Sequence, residues 1–229
     1  MIDKNLTSYF SPPQTEGSFF ISFEGIEGSG KSTQIQFLKE KLEARGYKVL
    51  LLREPGGTPF GENLRQAILN SRESVSPLAE AMLFASSRAQ LLESKILPAL
   101  SQKNTIVIVD RYIDSSLAYQ GIARGLGAET VLKLHRFSPL NTLPHISFYL
   151  KIGLDVSFER QKQRGNGKDY FERESEEFYC KLIEGYDLSA KLFPQRIVAV
   201  NGEQDQSTVA SAIEKHITEL ITKKDAPNG

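Results

Sequence analysis

The stretch from Gly25 to Ser32, GIEGSGKS, fits the pattern G-x-x-x-x-G-K-[ST] and constrains the fold of this chain more than any other feature. The apolar run FFISFEG precedes it, and Ile35, Leu38 and Leu42 follow it at the spacing of a helical stripe. This order of strand, loop and helix is typical of a phosphate-binding loop (P-loop), in which glycines let the backbone curl and direct its N–H groups at phosphate oxygens. The pattern therefore predicts a nucleoside-triphosphate site.

Each part of the P-loop has an expected role toward the nucleotide. The helix that begins near Lys31 adds the partial positive charge of its N-terminus. The Lys31 ammonium should reach the β- and γ-phosphates, and the Ser32 hydroxyl should ligate Mg²⁺. The loop alone does not distinguish an ATPase, a GTPase and a small-molecule kinase, although the N-K-x-D motif with which GTPases read guanine is missing from the sequence. The residues expected to bind ATP are Gly25, Ile26, Glu27, Gly28, Ser29, Gly30, Lys31, Ser32 and Thr33.

Short β-rich runs alternate with helical stretches from residue 19 onward, which predicts a parallel sheet with helices on both faces. The run TIVIVD is apolar almost throughout, as expected of a central strand that is covered on both sides. We therefore expect a three-layer α/β/α fold of the P-loop NTPase type, with one domain over residues 18–229. Residues 1–17 are expected to form a loosely held N-terminal extension. The five predicted strands are residues 19–25, 47–53, 105–110, 146–152 and 196–200.

Composition and charge exclude several classes of protein. Lys+Arg and Asp+Glu both number 28, so the formal net charge is zero, whereas a protein that binds nucleic acid by bulk electrostatics usually has a basic excess. One cysteine excludes an intramolecular disulfide framework. The sequence has neither the roughly 18 consecutive apolar residues of a membrane span nor the apolar region of a secretory signal. The expectation is a cytoplasmic enzyme without nucleic-acid or membrane partners.

Three arginines lie where a second anion could be held. Arg53 ends the second predicted strand and Arg111 follows the central one, and ligands of open α/β sheets bind at the carboxyl ends of strands. That position favours a binding role over a solvated surface charge for both residues. Arg88 lies four residues after Phe84 on a helix predicted to begin at Ser76-Pro77, so both project from one face. Phe84 is therefore either a core residue or an aromatic ring on which a ligand stacks, beside the hydrogen-bond donors of the Arg88 guanidinium.

Two carboxylates accompany these groups. Asp110 ends the central strand, where a carboxylate can orient Mg²⁺ directly or through water. A strand-end cap or an ion pair with a nearby arginine is an equally good interpretation of Asp110. Glu27 lies inside the P-loop, where a carboxylate beside phosphates is unfavourable unless a cation or a substrate hydroxyl offsets it. The histidines lack metal-ligand spacing, and we assign no chemistry to His135, His145 and His216.

Five strings occur in a fixed order within the stretch from about residue 19 to 201, which makes up most of the chain. They are FEGIEGSGKSTQ, REPGGT, LFASSR, DRYIDSSLAYQG and ERQKQRG…KDYFE. The combination of REPGGT with DRY…S…AYQG is highly specific, and on these motifs the chain resembles the thymidylate kinase family. The resemblance implies transfer of the γ-phosphoryl group of ATP to dTMP, giving dTDP, with Mg²⁺ as the metal. It also implies a homodimer in the cytoplasm.

The resemblance further implies roles around dTMP. Arg53 and Arg111 would hold the 5′-phosphate. Phe84 would stack on thymine, and Arg88 would donate a hydrogen bond to an exocyclic oxygen. Tyr119 would press against the deoxyribose and disfavour ribonucleotides, and Glu27 would lie near the 3′-hydroxyl and magnesium. The residues expected near the base edge are Ser115, Ser116 and Gln120.

Some members of the family carry an additional catalytic arginine in the P-loop, at the position of Gly28. Because this chain has glycine there, the resemblance places that arginine in a helical lid at about residues 160–173. Arg160 and Arg164 are spaced i, i+4 in this segment. Tyr170 stands where many members carry arginine, which leaves Lys168 and Arg173 as alternatives. Without the resemblance, the mixed charges favour an ordinary solvated helix. The expected catalytic residues are Lys31, Glu27, Arg111, Arg160 and Arg164.

Two other functions stay open at this point. One is a small-molecule kinase for a different nucleotide. The other is a P-loop regulatory switch or assembly ATPase, which would bind nucleotide in order to control a partner. A switch does not need a second anion site, so the strand-end arginines favour a kinase.

Overall fold

The computed structural model describes residues 5–164 and 175–225. Its five strands form one parallel sheet in the order β2-β3-β1-β4-β5, which confirms the predicted architecture. Strand β1 is central and buried along its whole length, while β2 and β5 lie at the two edges. The strands are β1 (Phe19–Glu24), β2 (Lys48–Arg53), β3 (Thr105–Asp110), β4 (Ile146–Lys151) and β5 (Ile197–Asn201).

Helices connect the strands. Ser76 caps the helix that follows it by accepting a hydrogen bond from Ala79 N, as the Ser-Pro start predicts. None of the helices in the described ranges is long and apolar enough to span a membrane. The helices are α1 (Lys31–Ala44), α2 (Pro59–Leu69), α3 (Pro77–Leu91), α4 (Leu97–Leu100), α5 (Ile113–Ser116), α6 (Ala128–His135), α7 (Leu154–Arg164), α8 (Glu176–Leu192) and α9 (Gln206–Asp225), with π-helical turns at Leu92–Ile96 and Leu117–Ala123 and a 3₁₀ turn at Leu6–Tyr9.

Alternate side chains of β1 enter two separate apolar cores, because successive residues of a strand point to opposite faces. Phe19 and Ile21 pack in the core that α1 and α9 cover, whereas Phe20 packs in the larger core on the other face. Both faces of the central strands are therefore covered by helices. This is the physical reason that these strands appear in the sequence as nearly continuous apolar runs.

The N-terminal extension packs against the domain, so the prediction of a loosely held segment is wrong for residues 5–17. Leu6 and Phe10 are buried in the larger core, and the Phe10 ring meets Phe193 edge to face at a centroid distance of 6.2 Å. Ser11 also exchanges backbone hydrogen bonds, donating to Asn141 O and accepting from Leu143 N. The apolar residues of this segment span little more than one turn and lie among polar residues, so the contact with the core could not be read from the sequence.

Candidate active site

The strand register brings three loops to one edge of the sheet. Arg53 in β2 lies opposite Asp110 in β3, and Asp110 lies opposite Phe23 in β1. Glu54 N continues the ladder by donating to Asp110 O at 3.0 Å. The P-loop therefore begins beside the residues that follow β2 and β3, at the carboxyl edge where α/β sheets bind ligands.

The P-loop backbone depends on glycine. Gly25, Gly28 and Gly30 have φ angles of 137°, 79° and 93°, which residues with a side chain rarely adopt. A Cβ on Gly25 would lie 2.7 Å from Leu150 O. Gly30 is the N-cap of α1 and has no side chain to accept the first amide groups of that helix. Those amides are consequently directed at whatever anion occupies the loop.

Lys31 lies at the first position of α1, and its ammonium folds back over the loop. Its Nζ donates to the carbonyl oxygens of Gly25 at 3.1 Å and Ile26 at 3.2 Å. Burial, together with the smaller effect of the positive charge of Arg111, lowers the pKa of Lys31 from 10.5 to about 8. A bound phosphate would raise this pKa again, because a nearby opposite charge favours the ammonium form.

Proton uptake on ATP binding follows from this pKa. At pH 8, Lys31 is about half protonated before binding and becomes fully protonated beside the phosphates, so about half a proton is taken up per ATP. Calorimetric titrations in Tris and HEPES buffers measure this uptake as a difference between the two binding enthalpies. The control is Lys31→Arg, whose guanidinium stays protonated and should show no uptake from this site. Equal enthalpies in both buffers for the unmodified protein would contradict the assignment.

One cavity at this edge of the sheet is lined by all eight residues that we expected to bind the acceptor. Glu27 and Asp110 also line it. Five further residues, to which the sequence assigned no role, also line the cavity: Glu54, Pro55, Arg65, Tyr112 and Tyr179. The eight expected residues are Arg53, Phe84, Arg88, Arg111, Ser115, Ser116, Tyr119 and Gln120.

Arg111 occupies an unusual backbone conformation, with φ at 70°. Its Nη1 donates to Gly25 O at 2.8 Å and to the Tyr186 hydroxyl at 2.9 Å, and its Nη2 lies 3.5 Å from Glu27 Oε2. The guanidinium also lies 5.4 Å from the centroid of the Tyr119 ring. These contacts direct a positive charge to the junction between the P-loop and the cavity.

The Arg53 side chain is more exposed than that of Arg111, and Glu62 holds it beside the loop that the REPGGT motif forms. Its Nη2 donates to Glu62 Oε2 at 2.9 Å, and Gly57 N donates to Glu62 Oε1 at the same distance. The Thr58 hydroxyl caps α2 by accepting from Gly61 N. Glu62 therefore couples the position of the Arg53 guanidinium to the backbone of the loop.

Arg88 is fixed on several sides inside the protein, with its side chain only 3% exposed. Its Nε donates to Glu54 Oε2 at 2.7 Å, and its Nη2 donates to Ser116 Oγ at 3.1 Å. The Tyr112 ring lies against the guanidinium, with its centroid 4.9 Å from Cζ. A guanidinium held in this way presents its N–H groups in one plane, as the recognition of a planar base requires.

His135 is part of this site, although the sequence analysis assigned it no chemistry. Its Nε2 lies 2.7 Å from Arg88 Nη1, and its Nδ1 lies 2.8 Å from Val131 O. A carbonyl can only accept and a guanidinium can only donate, so Nδ1 carries the proton and Nε2 accepts from Arg88. Burial and the nearby charge of Arg88 lower the pKa of His135 to about 3. A neutral imidazole is therefore an anchor for Arg88, which no local sequence pattern could indicate.

The residues expected at the base edge are bonded to other protein side chains. Ser116 accepts from Arg88, and Gln120 Nε2 donates to Glu80 Oε1 at 2.7 Å. Ser115 Oγ bonds Glu24 and Tyr186. Each of these lining residues thus fixes a neighbour as well as forming part of the cavity surface.

The Asp110 carboxylate at the end of β3 is not fully hydrogen-bonded within the described residues. Its Oδ1 is buried and has no hydrogen-bond partner among the residues that the structure describes, and a metal ion or a metal-bound water would satisfy it. Ser32 lies exposed in the first turn of α1. Within the described ranges, no three His, Cys, Asp or Glu side chains form a metal-binding group. Phosphate oxygens and water would complete the shell, as is usual for Mg²⁺ in kinases.

Arg160 lies against the P-loop. Its Nη1 donates to Gly28 O at 3.1 Å and to Gly202 O at 3.0 Å. A Cβ on Gly28 would approach Arg160 Cβ to 3.4 Å and Ser157 O to 3.0 Å, so α7 occupies the space that a side chain at position 28 would need. The Arg164 side chain and residues 165–174, with Lys168, Tyr170, Arg173 and most of the predicted lid, lie outside the described residues.

Known proteins are similar to this chain in sequence and in fold. A family model described as thymidylate kinase matches residues 23–213. A thymidylate kinase of Thermoanaerobacter sp. (strain X514) is 46% identical over 204 residues, which cover 89% of this chain and 97% of the relative. One of Caldanaerobacter subterraneus subsp. tengcongensis is 45% identical over 202 residues, or 88% and 96% of the two chains.

A solved structure agrees with these relatives. The crystal structure of thymidylate kinase from Ehrlichia chaffeensis superimposes with a TM-score of 0.69 at 32% identity. The match covers 88% of this chain and 99% of that one. By sequence and by fold, this chain belongs to the thymidylate kinase family.

Proposed function

We propose that this chain is a dTMP kinase, which transfers the γ-phosphoryl group of ATP to dTMP and releases dTDP and ADP, a step toward dTTP. The observation that carries the proposal is a cavity beside the P-loop that combines two kinds of binding group. It is lined by two strand-end arginines, Arg53 and Arg111, and by an aromatic ring with an immobilised arginine, Phe84 and Arg88. A nucleoside monophosphate needs both kinds of group, because the arginines can bind its phosphate while the ring and the fixed arginine can bind its base. Membership of the thymidylate kinase family supports thymine as the base.

Arg88 supports the choice of base. Its contacts with Glu54, His135 and Ser116 fix the guanidinium and use only some of its five N–H donors. A remaining N–H can be donated to an exocyclic oxygen of thymine. Cytosine and adenine carry an amino group in the corresponding position, which would place donor against donor. Phe84 would stack on the face of the ring.

Transfer requires alignment more than covalent chemistry by the protein. An oxygen of the dTMP phosphate attacks the γ-phosphorus while the bond to the bridging oxygen breaks, and ADP leaves with the electron pair. The attacking oxygen is already anionic, so a strong general base is unnecessary. Arg53 and Arg111 would fix the acceptor, and Lys31 would stabilise the transferring group. Such alignment can contribute roughly 7–11 kcal/mol.

Mg²⁺ bound with ATP would supply neutralisation of charge between the β- and γ-phosphates. We propose Ser32 and Asp110 as its protein ligands, supported by the unpartnered Asp110 Oδ1. Glu27 lies beside Arg111 in the acceptor cavity and is proposed to face the 3′-hydroxyl and the metal. Arg160 and Arg164 are proposed as the lid arginines, and the contact of Arg160 with Gly28 O supports its proximity to ATP.

We also propose a homodimer that works in the cytoplasm. Exposed apolar side chains on two neighbouring helices support the dimer: Phe60 of α2 is 47% exposed, and Met82 of α3 is 55% exposed. Burial of this face against a second copy would remove it from water.

A panel of acceptors tests the proposed function. With ATP and MgCl₂, kcat/KM for dTMP is expected to exceed that for dCMP or AMP by about 10²-fold or more, because Arg88 rejects bases with an amino group at the recognised position. GMP has a carbonyl oxygen there and is expected to be a poor acceptor because its purine ring is larger than thymine. An assay coupled to ADP release measures each rate. Preference for another acceptor would identify a kinase for that nucleotide. Slow ATP hydrolysis that no acceptor stimulates would instead indicate a nucleotide switch.

A further inference from the structure

Tyr186 of α8 contacts Arg111 on the side of the guanidinium that faces away from the acceptor cavity. The Tyr186 hydroxyl accepts a hydrogen bond from Arg111 Nη1 at 2.9 Å, across 75 positions of the sequence. The Tyr186 side chain is buried and lies behind the residues that line the acceptor cavity. Because arginine can only donate, the phenol oxygen must accept, and the phenol hydrogen is directed elsewhere.

That hydrogen has a partner deeper in the protein. Ser115 Oγ lies 2.8 Å from the Tyr186 hydroxyl and itself donates to Glu24 Oε2 at 2.7 Å. Gly25 O is a second and more distant acceptor for Tyr186, at 3.4 Å. Burial raises the pKa of Tyr186 well above its usual value, so the phenol keeps its hydrogen at neutral pH. A chain of hydrogen bonds therefore links Arg111 to the end of β1, where the P-loop begins.

Close packing brings Tyr186 within reach of Arg111. A Cβ on the preceding residue, Gly185, would lie 2.5 Å from Ala118 Cα, so the backbone of α8 touches the π-helical turn that follows Ser115. On its other side, the Tyr186 ring stacks on Tyr149 of β4, with centroids 5.2 Å apart and an interplanar angle of 23°. The hydroxyl is thus fixed by ring packing as well as by its hydrogen bonds.

We propose that Tyr186 is a positioning residue for phosphoryl transfer, which orients the Arg111 guanidinium toward the acceptor phosphate. Its effect passes through Arg111, because its hydroxyl bonds Arg111 and Ser115 behind the cavity. Ser115 shares this role, since its hydroxyl bonds Tyr186 and Glu24. The inference rests on the dTMP kinase activity proposed above.

Two tyrosine-to-phenylalanine variants form a matched test. Tyr186→Phe removes the acceptor of Arg111 and keeps the ring, and kcat/KM for dTMP is expected to fall about 10- to 30-fold. KM for ATP should stay within about twofold. Tyr149→Phe removes the same atom from the stacked neighbour, whose hydroxyl bonds Asp187 instead. That control is expected to keep kcat/KM within about twofold of the unmodified enzyme.

A double-mutant cycle separates positioning from general damage to the fold. In Arg111→Ala enzyme, the added Tyr186→Phe change should lower kcat/KM by no more than about twofold, because the group that it positions is gone. If the fold-losses in kcat/KM of the two single variants multiplied in the double variant, the inference would be overturned. An unchanged kcat/KM in Tyr186→Phe alone would overturn it as well. If the unmodified protein failed to phosphorylate dTMP, the proposed function itself would fall, and this role with it.

Discussion

Arg111→Ala is expected to lower kcat/KM for dTMP by about 10³-fold, a loss of roughly 4 kcal/mol of transition-state stabilisation. The substitution removes a charged group that the geometry directs at the acceptor phosphate. It also leaves Gly25 O, the Tyr186 hydroxyl and Glu27 without the guanidinium that they share. Steady-state kinetics with dTMP varied at saturating ATP measure the effect, and circular dichroism confirms that the variant is folded.

Arg45→Ala is the control for this experiment. Arg45 pairs with Glu214 on the surface, far from the cavity residues, and its removal should change kcat/KM by no more than about twofold. A loss below about tenfold in Arg111→Ala would show that Arg111 is not the principal acceptor arginine. Arg53 would then be the remaining strand-end candidate.

The backbone of Arg111 gives an independent reason to expect a large effect. A φ of 70° costs a residue with a side chain on the order of 1 kcal/mol or more, and glycine would adopt it without that cost. The chain nevertheless has arginine at this position. The interactions of the arginine side chain, rather than the conformation of the turn, therefore explain why arginine occurs at this position.

Asp114→Ala is expected to lower the free energy of unfolding by about 3–5 kcal/mol. Asp114 receives two hydrogen bonds from Arg196, at 2.8 Å and 2.7 Å, and both side chains are at most 5% exposed. Removal of the carboxylate leaves the Arg196 charge buried without its counterion, which is more costly than loss of the whole pair. Urea unfolding followed by fluorescence or circular dichroism measures the change.

Two comparisons sharpen this test. The double variant Asp114→Ala/Arg196→Met should recover much of the lost stability, because no charge then remains unpaired. Glu43→Gln breaks an exposed pair with Lys39 and should cost at most about 0.5 kcal/mol. A single Asp114→Ala variant as stable as Glu43→Gln would contradict the assignment.

The contribution of Asp114 also depends on pH. Burial raises the pKa of Asp114, but the charge of Arg196 and the hydrogen bonds from Arg196, Ser189 and Ser147 together more than offset this and hold the pKa below its ordinary value of 3.8. The carboxylate therefore stabilises the fold fully above that value, and the stabilisation is lost as the pH falls through the lower pKa of the folded protein. The difference in free energy of unfolding between the unmodified protein and the Asp114→Ala variant should accordingly shrink in strong acid.

Much of the fold could be predicted because its signals are local. The central strands are covered on both faces, so they appear as apolar runs, and the P-loop lies at one turn between a strand and a helix. The acceptor residues were predicted from the resemblance of the motifs. For Arg53 and Arg111, their position at strand ends gave an independent physical reason. Their convergence on one cavity follows from the parallel register, which places the ends of β2, β3 and β1 side by side.

The contacts behind the cavity could not be predicted in this way. His135 meets Arg88 across 47 positions and Tyr186 meets Arg111 across 75, and both contacts depend on how separate helices pack. A buried histidine or tyrosine in an amphipathic helix looks like any other core residue. The same holds for Leu6 and Phe10, whose partners belong to distant parts of the chain.

Gly185 illustrates how a packing residue can acquire an enzymatic phenotype. With no room for even a methyl group against Ala118, any other residue at this position must shift α8, and Tyr186 moves with it. A genetic screen that scores growth on limiting thymidylate would then recover Gly185 alleles among those with weakened substrate use. Such alleles would resemble substitutions of Arg111 itself, although Gly185 is not among the residues that line the acceptor cavity.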